Sequence, residues 1–136
     1  MIKTHPQKSL AVLIKELDEV FATFIKFRDT DSFGYGKCIT CGRRLHYREG
    51  DCGHAIVCMF MATRFDERNC GLQCRYCNRY EGGETKAFAS AIDQKHGQGT
   101  WEYLQNLSKT TVKLTRPEVE EMATYYKDKV KSMNKI

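Results

Sequence analysis

Apolar residues near the start of the chain follow a helical rhythm. Leu10, Leu13, Ile14, Leu17, Val20, Phe21, Phe24 and Ile25 recur at steps of three and four, with Lys15, Glu16, Asp18, Glu19 and Lys26 between them. The pattern predicts a long amphipathic helix over residues 8–29, a scaffold that supplies core, ended by a loop from Asp29 to Gly34. From 35 to 80 the rhythm breaks into short apolar pieces punctuated by Gly36, Gly42, Gly50, Gly53 and Gly71. So few periodic apolar residues cannot hold this stretch together, which leaves the task to a metal or to flanking helices. After Gly82 and Gly83 the helical period returns, with Phe88, Ala91 and Ile92 inward over Thr85 to His96 and Gly97 as a stop, then a short segment carrying Trp101, Leu104 and Leu107. The last element opens on Thr115, Arg116, Pro117 and Glu118, a capping-box spacing with proline in the first turn. It continues through Val119, Met122, Ala123, Tyr126, Val130 and Met133, and Lys127, Lys129, Lys131 and Lys135 suit the negative end of its dipole.

At 136 residues the chain fits one domain and leaves no room for two independent cores. Its expected parts are a scaffold helix at 8–29, a cysteine-rich core at 35–83 and C-terminal helices at 84–136. A hydrophobic content of 41% with two prolines argues against disorder. No apolar run approaches the ~18 residues of a membrane span, and the first residues lack the apolar block of a secretory signal. The expectation is a soluble protein of the cytoplasm with no membrane partner.

Seven cysteines change the picture, because a reducing cytoplasm does not keep structural disulfides and an odd number cannot pair fully. Cys38 and Cys41, then Cys74 and Cys77, are two Cys-x-x-Cys knuckles separated by 32 residues. Four thiolates so spaced can close a tetrahedral zinc site, with Gly42 fitting the tight turn of the first pair. A redox or iron–sulfur role is disfavoured by the lack of a thioredoxin-like βαβ pattern. With all four positions filled by protein, such a zinc fastens the fold and leaves no place for chemistry. Cys52, Cys58 and Cys70 have no partner at knuckle spacing and read as small buried hydrophobes.

The net charge of +5 is modest, yet it is focused. Seven of nine arginines lie in the cysteine-rich stretch, and between 37 and 80 eight basic side chains face only Glu49, Asp51, Asp66 and Glu67. A charged run is often a solvated face; beside a metal site, Arg43, Arg44, Arg64, Arg68, Arg75 and Arg79 become candidates for phosphate contacts, with Arg75 and Arg79 one helical turn apart. Tyr76 and Tyr80 could stack on unpaired bases, while Phe65 suits core packing better. Between the knuckles stand Asp51 and His54, then Asn69, and Asn78 follows the second pair. Imidazole can deprotonate water, and carboxylate and amide oxygens suit a hard Mg2+ or Mn2+, so these residues are a phosphodiesterase inventory.

In this order the motifs resemble the HNH (ββα-metal) endonucleases. More closely, the first knuckle, Asp51-x-Gly-His54, the run from Arg64 to Asn69 and the second knuckle with Asn78 look like the NinG (Rap) recombination nucleases of lambdoid phages. The resemblance implies an α+β fold, a zinc-stapled ββα-metal core flanked by N- and C-terminal helices. It implies that His54, at the end of the first hairpin strand, is the general base. Asn69 would hold the hairpin loop and orient His54, and Asn78, opening the helix after the second knuckle, would ligate the catalytic ion. Many HNH enzymes carry the metal-binding carboxylate directly before the base; here that position is Gly53, and Asp51 is the nearest carboxylate. The implied activity is cleavage of branched recombination intermediates, Holliday junctions or D-loops. A homodimer built on the 8–29 or the 115–133 helix would place two symmetric cuts, and recombination proteins are candidate partners. A noncatalytic zinc module that binds DNA, or a nonspecific or nicking HNH enzyme, remain the rival readings.

Overall fold

The computed structural model of the chain describes residues 7–79 and 85–135. Tyr80, Gly82 and Gly83, singled out above, lie outside the described residues, as do 84 and 136. The first helix, α1, runs Leu10–Arg28. It is shorter than 8–29 because both ends are capped. The Ser9 hydroxyl accepts from the Val12 N–H at 3.2 Å, and Asp29 ends the helix with its own N–H on the Ile25 and Phe27 carbonyls. Strands β1 (Tyr35–Lys37) and β2 (Arg44–His46) form an antiparallel hairpin with Lys37 opposite Arg44, so the first knuckle is its loop. Strands β3 (Gly50–His54) and β4 (Cys70–Cys74) form a second antiparallel ribbon, in register from Gly50 opposite Cys74 to His54 opposite Cys70. Between them lies the one-turn helix α2 (Met61–Arg64). Helices α3 (Arg75–Arg79), α4 (Thr85–His96), α5 (Thr100–Ser108) and α6 (Arg116–Met133) complete a mixed α+β chain. The capping box of α6 is present, with Thr115 accepting from the Glu118 N–H and Glu118 accepting from the Thr115 N–H.

Helix α1 is the spine. Its buried face, Leu17, Phe21, Phe24 and Ile25, packs with Val119 and Tyr126 of α6 and with Phe65 and Cys70. The Tyr126 ring meets Phe21 and Phe24 at 5.0 Å, and its hydroxyl donates to Glu67 at 2.9 Å. Arg116, at the start of α6, donates to the Lys8 carbonyl, while Lys135 past its end donates to the Thr30 carbonyl at 2.9 Å. The two long helices therefore run side by side in the same direction. A separate cluster of Phe88, Ile92 and Leu104 holds α4 to α5. Among the described residues no helix is long and apolar enough to cross a membrane.

Asp29 ties two elements, α4 and β4, to the end of this spine. Its carboxylate accepts from Arg28 at 2.8 and 3.1 Å, from Lys95 of α4 at 2.6 Å and from the Leu72 N–H of β4 at 3.0 Å. Arg28 in turn donates to the Glu67 and Cys70 carbonyls. Burial pushes the Asp29 carboxyl up, but Arg28 and Lys95 outweigh it and hold its pKa below the usual aspartate value. A carboxylate depressed in this way adds stability that is present above the unfolded pKa of ~3.9 and is lost as pH falls through the lower, folded value. Asp29→Asn is expected to cost about 2–4 kcal/mol at neutral pH and to flatten the dependence of stability on pH below about 4, as measured by denaturant unfolding across that range.

Candidate functional site

The two knuckles meet. Cys38 and Cys41 sit on the β1–β2 loop and Cys74 and Cys77 on the β4–α3 corner, with all four sulfurs within 4.8 Å of one another and Cys41 3.9 Å from Cys74. Bonds of ~2.3 Å to a tetrahedral ion require sulfur–sulfur edges of about 3.8 Å, so the donor set fits zinc. The surrounding backbone fits too. Gly42, at φ +77°, turns the first knuckle with its N–H on the Cys38 carbonyl, and the Cys77 N–H points at the Cys74 sulfur at 3.4 Å. Burial pushes the Cys38 thiol up, yet the Cys41 backbone N–H, the Thr40 hydroxyl and the Cys74 backbone bring it down to about 6. Burial, with the Cys74 and Cys41 sulfurs beside it, drives Cys77 up to about 12.

The ribbon between the knuckles places the remaining candidates. Side chains alternate along a strand, so Asp51 and His54 of β3 face opposite sides. On one side the Asn78 amide donates to Asp51 at 2.9 Å, with the guanidinium nitrogens of Arg79 and Arg75 at 3.5 and 3.9 Å from the same carboxylate. Asn78 does not open the helix as expected: α3 starts at Arg75, one residue after the strand ends, and Asn78 is its fourth residue. Position 53 shares this face with Asp51. A Cβ at Gly53 would collide with the fully buried Gln73 side chain, so a carboxylate directly before His54 has no room there.

On the other side His54 packs near Phe21 of α1, and its Nε2 lies 3.0 Å from the Arg64 carbonyl. Burial lowers the imidazole pKa below the usual histidine value, against the pull of that carbonyl. Asn69 is completely buried; its amide donates to the Ile56 and Thr63 carbonyls at 3.0 and 3.1 Å and accepts from the Ile56 N–H at 2.8 Å. It thereby ties the start of the β3–α2 loop to α2, beside His54.

The six arginines divide. Arg64 is committed within the chain to the Asp18 carboxylate of α1, at 2.9 Å for its Nε, and Arg68 pairs with Asp66 at 2.7 Å and lies over the Tyr103 ring. Arg43, Arg44, Arg75 and Arg79 are exposed. Arg43, Arg44 and Arg75 line one cleft with Tyr76, which is 58% exposed, while Phe65 is buried in the core. Of the three remaining cysteines, Cys70 is buried and Cys52 half-buried, but Cys58 is exposed, because it lies in the loop from Val57 to Phe60 rather than on the ribbon. Asp18 and Gln73 escaped the sequence reading. Asp18 lies on the helical rhythm as an ordinary polar position, and only the fold brings Arg64 to it.

A small α+β protein with a four-cysteine cluster fit for zinc and a basic cleft beside it is the class these features define. The family model described as "Bacteriophage Lambda NinG protein" matches residues 1–135, and the chain belongs to the NinG family. Protein ninG of Escherichia phage 933W, and likewise that of Enterobacteria phage VT2-Sa, is 33% identical over 86 residues, covering 62% of this chain and 40% of the relative. Protein ninG of Salmonella phage P22 is 27% identical over 121 residues, 88% of this chain and 57% of the relative. The chain thus spans between 40% and 57% of the length of these curated relatives. No solved structure matches it.

The cluster generates a direct expectation. Purified protein should retain one tightly held zinc per chain by metal analysis, and Cys38→Ser combined with Cys74→Ser should lose both the ion and the cooperative unfolding transition. Unchanged stability without zinc would refute a structural metal.

Proposed function

We propose that this protein is a metal-dependent endonuclease of the HNH (ββα-metal) type, which cuts branched DNA such as Holliday junctions or D-loops in phage recombination. The setting of His54 carries the reading. Asn69 fixes Thr63 of α2, next to the Arg64 carbonyl that accepts from the His54 Nε2–H, which leaves the lone pair on Nδ1, and burial favours the neutral ring near pH 7. A neutral imidazole held in one tautomer is equipped to take a proton from water attacking phosphorus in line.

Asp51 and Asn78 would hold Mg2+ or Mn2+, which takes one or two protein oxygens and fills its remaining positions from water and phosphate. When bound, such an ion stabilises charge on the phosphate and on the leaving oxygen. For this the Asn78 amide would have to turn so that its oxygen, and not its N–H, is presented beside the Asp51 carboxylate. Arg43, Arg44, Arg75 and Arg79 would grip phosphates, contacts that position DNA without reading sequence and so suit recognition by shape. Tyr76 offers a ring for an unpaired base at the branch. Two symmetric cuts call for a homodimer, and α1 and α6 leave Leu10, Val12 and Tyr125 exposed for one.

One observation favours a second reading, a zinc-containing module that binds DNA without cutting it: the Asp51–Asn78 pair and His54 face opposite sides of the ribbon. A single assay separates the two. On the nuclease reading, four-way junctions are cut with Mg2+ or Mn2+, faster than a matched linear duplex, and His54→Ala slows cutting by about a hundred- to ten-thousand-fold. Undiminished cutting by that variant sinks the role of His54, and equal rates on both substrates point to a nonspecific or nicking enzyme. Steeply salt-dependent binding by the wild type with no cleavage under any divalent ion decides for the binding module.

A further inference from the structure

The face of the ribbon turned toward α1 carries more chemistry than a general base requires. Cys52 and His54 are two residues apart on β3, hence on one face, and Cys70 stands directly opposite His54 on β4. The two sulfurs and one imidazole nitrogen lie within 4.8 Å of one another. We propose that Cys52, His54 and Cys70 form a second metal site, for a thiophilic divalent cation such as Zn2+, distinct from the four-cysteine cluster.

Three features support the assignment. Two thiolates and an imidazole are a ligand set that zinc takes when a fourth position stays open. Two thiolates around a divalent ion are neutral together, so the loaded site carries no net charge into a face packed on Leu17 and Phe21. Last, the Nε2 proton of His54 is directed to the Arg64 carbonyl; a metal-bound histidine commonly places its other ring N–H on such an acceptor, which fixes the ring and leaves Nδ1 as the donor. With Cys70 buried and Cys52 half-exposed, the ion would enter past Cys52. The assignment stands on this geometry whether or not the protein cuts DNA. If it does, an ion on Nδ1 and proton transfer to Nδ1 exclude each other, so Zn2+ at this site would act as an inhibitor.

The test is calorimetric titration of Zn2+, in the presence of Mg2+, into protein that already retains its one tightly bound zinc. The expected result is one further equivalent per chain, with affinity weakened about tenfold or more in both Cys52→Ser and His54→Gln, and slower alkylation of Cys52 by iodoacetamide when Zn2+ is present. Retention of the first zinc certifies that each variant is folded. Should Cys52→Ser lose that zinc, His54→Gln carries the comparison. No second equivalent, or a second equivalent that neither variant weakens, overturns the proposal. Because binding is read without DNA, failure of the nuclease reading leaves the outcome unaffected.

Discussion

The corner where the β1–β2 hairpin meets β4 and α3 depends on the closure of four sulfurs from two segments that are far apart in sequence. The buried cluster there consists of Cys38, Cys74 and Cys77 with only Leu45 and Leu72, so the prospective metal ligands are most of their own core. Area-driven burial of two leucines contributes only a few kcal/mol, about 1.5–3 each, against the ordering of a hairpin, a strand and a helix start. An ion on the four sulfurs would convert this weak contact into a fixed corner. Four thiolates around a divalent cation would also leave net negative charge, and the exposed arginines 43, 44 and 75 border that corner. Part of the basic character of this corner would therefore balance the cluster.

The second constraint is the docking of the ribbon on α1. Arg64 of α2 to Asp18 at the middle of α1, and Arg28 with Asp29 at its C-terminal end to β4, hold the ribbon and its connecting segment on one helix. His54 is held between them, half-buried, with its pKa below the usual histidine value. The residues that set its environment, Asn69, Arg64 and Phe21, come from three places, so its character belongs to the assembly of helix, loop and ribbon and not to the strand alone.

Local signals were legible in the sequence to the extent that they are local. The Thr115–Glu118 cap, the helical rhythm of α1 and the knuckle spacing each appear within a few residues, and each is found in place in the fold. Pairings across distance were not legible. Arg64 looked like a phosphate ligand because nothing near it in sequence marks Asp18, 46 residues earlier, as its partner. The opposite facing of Asp51 and His54 follows from the period of two along a strand, and the Cys52, His54 and Cys70 group from the same parity plus the register. Both needed the strand bounds, which a glycine-rich stretch without apolar alternation does not announce.

The side-by-side packing of α1 and α6 has a consequence for how the protein comes into being. The apolar stripe of α1, with Leu17, Phe21 and Phe24, is covered by Val119 and Tyr126, which the ribosome adds after almost all the intervening chain. At ~5–20 residues per second that delay is on the order of ten seconds. Until then only residues already made can cover that face, Phe65 and Cys70 of the same cluster among them. The cysteine-rich segment is thus the provisional cover of the first helix until α6 arrives.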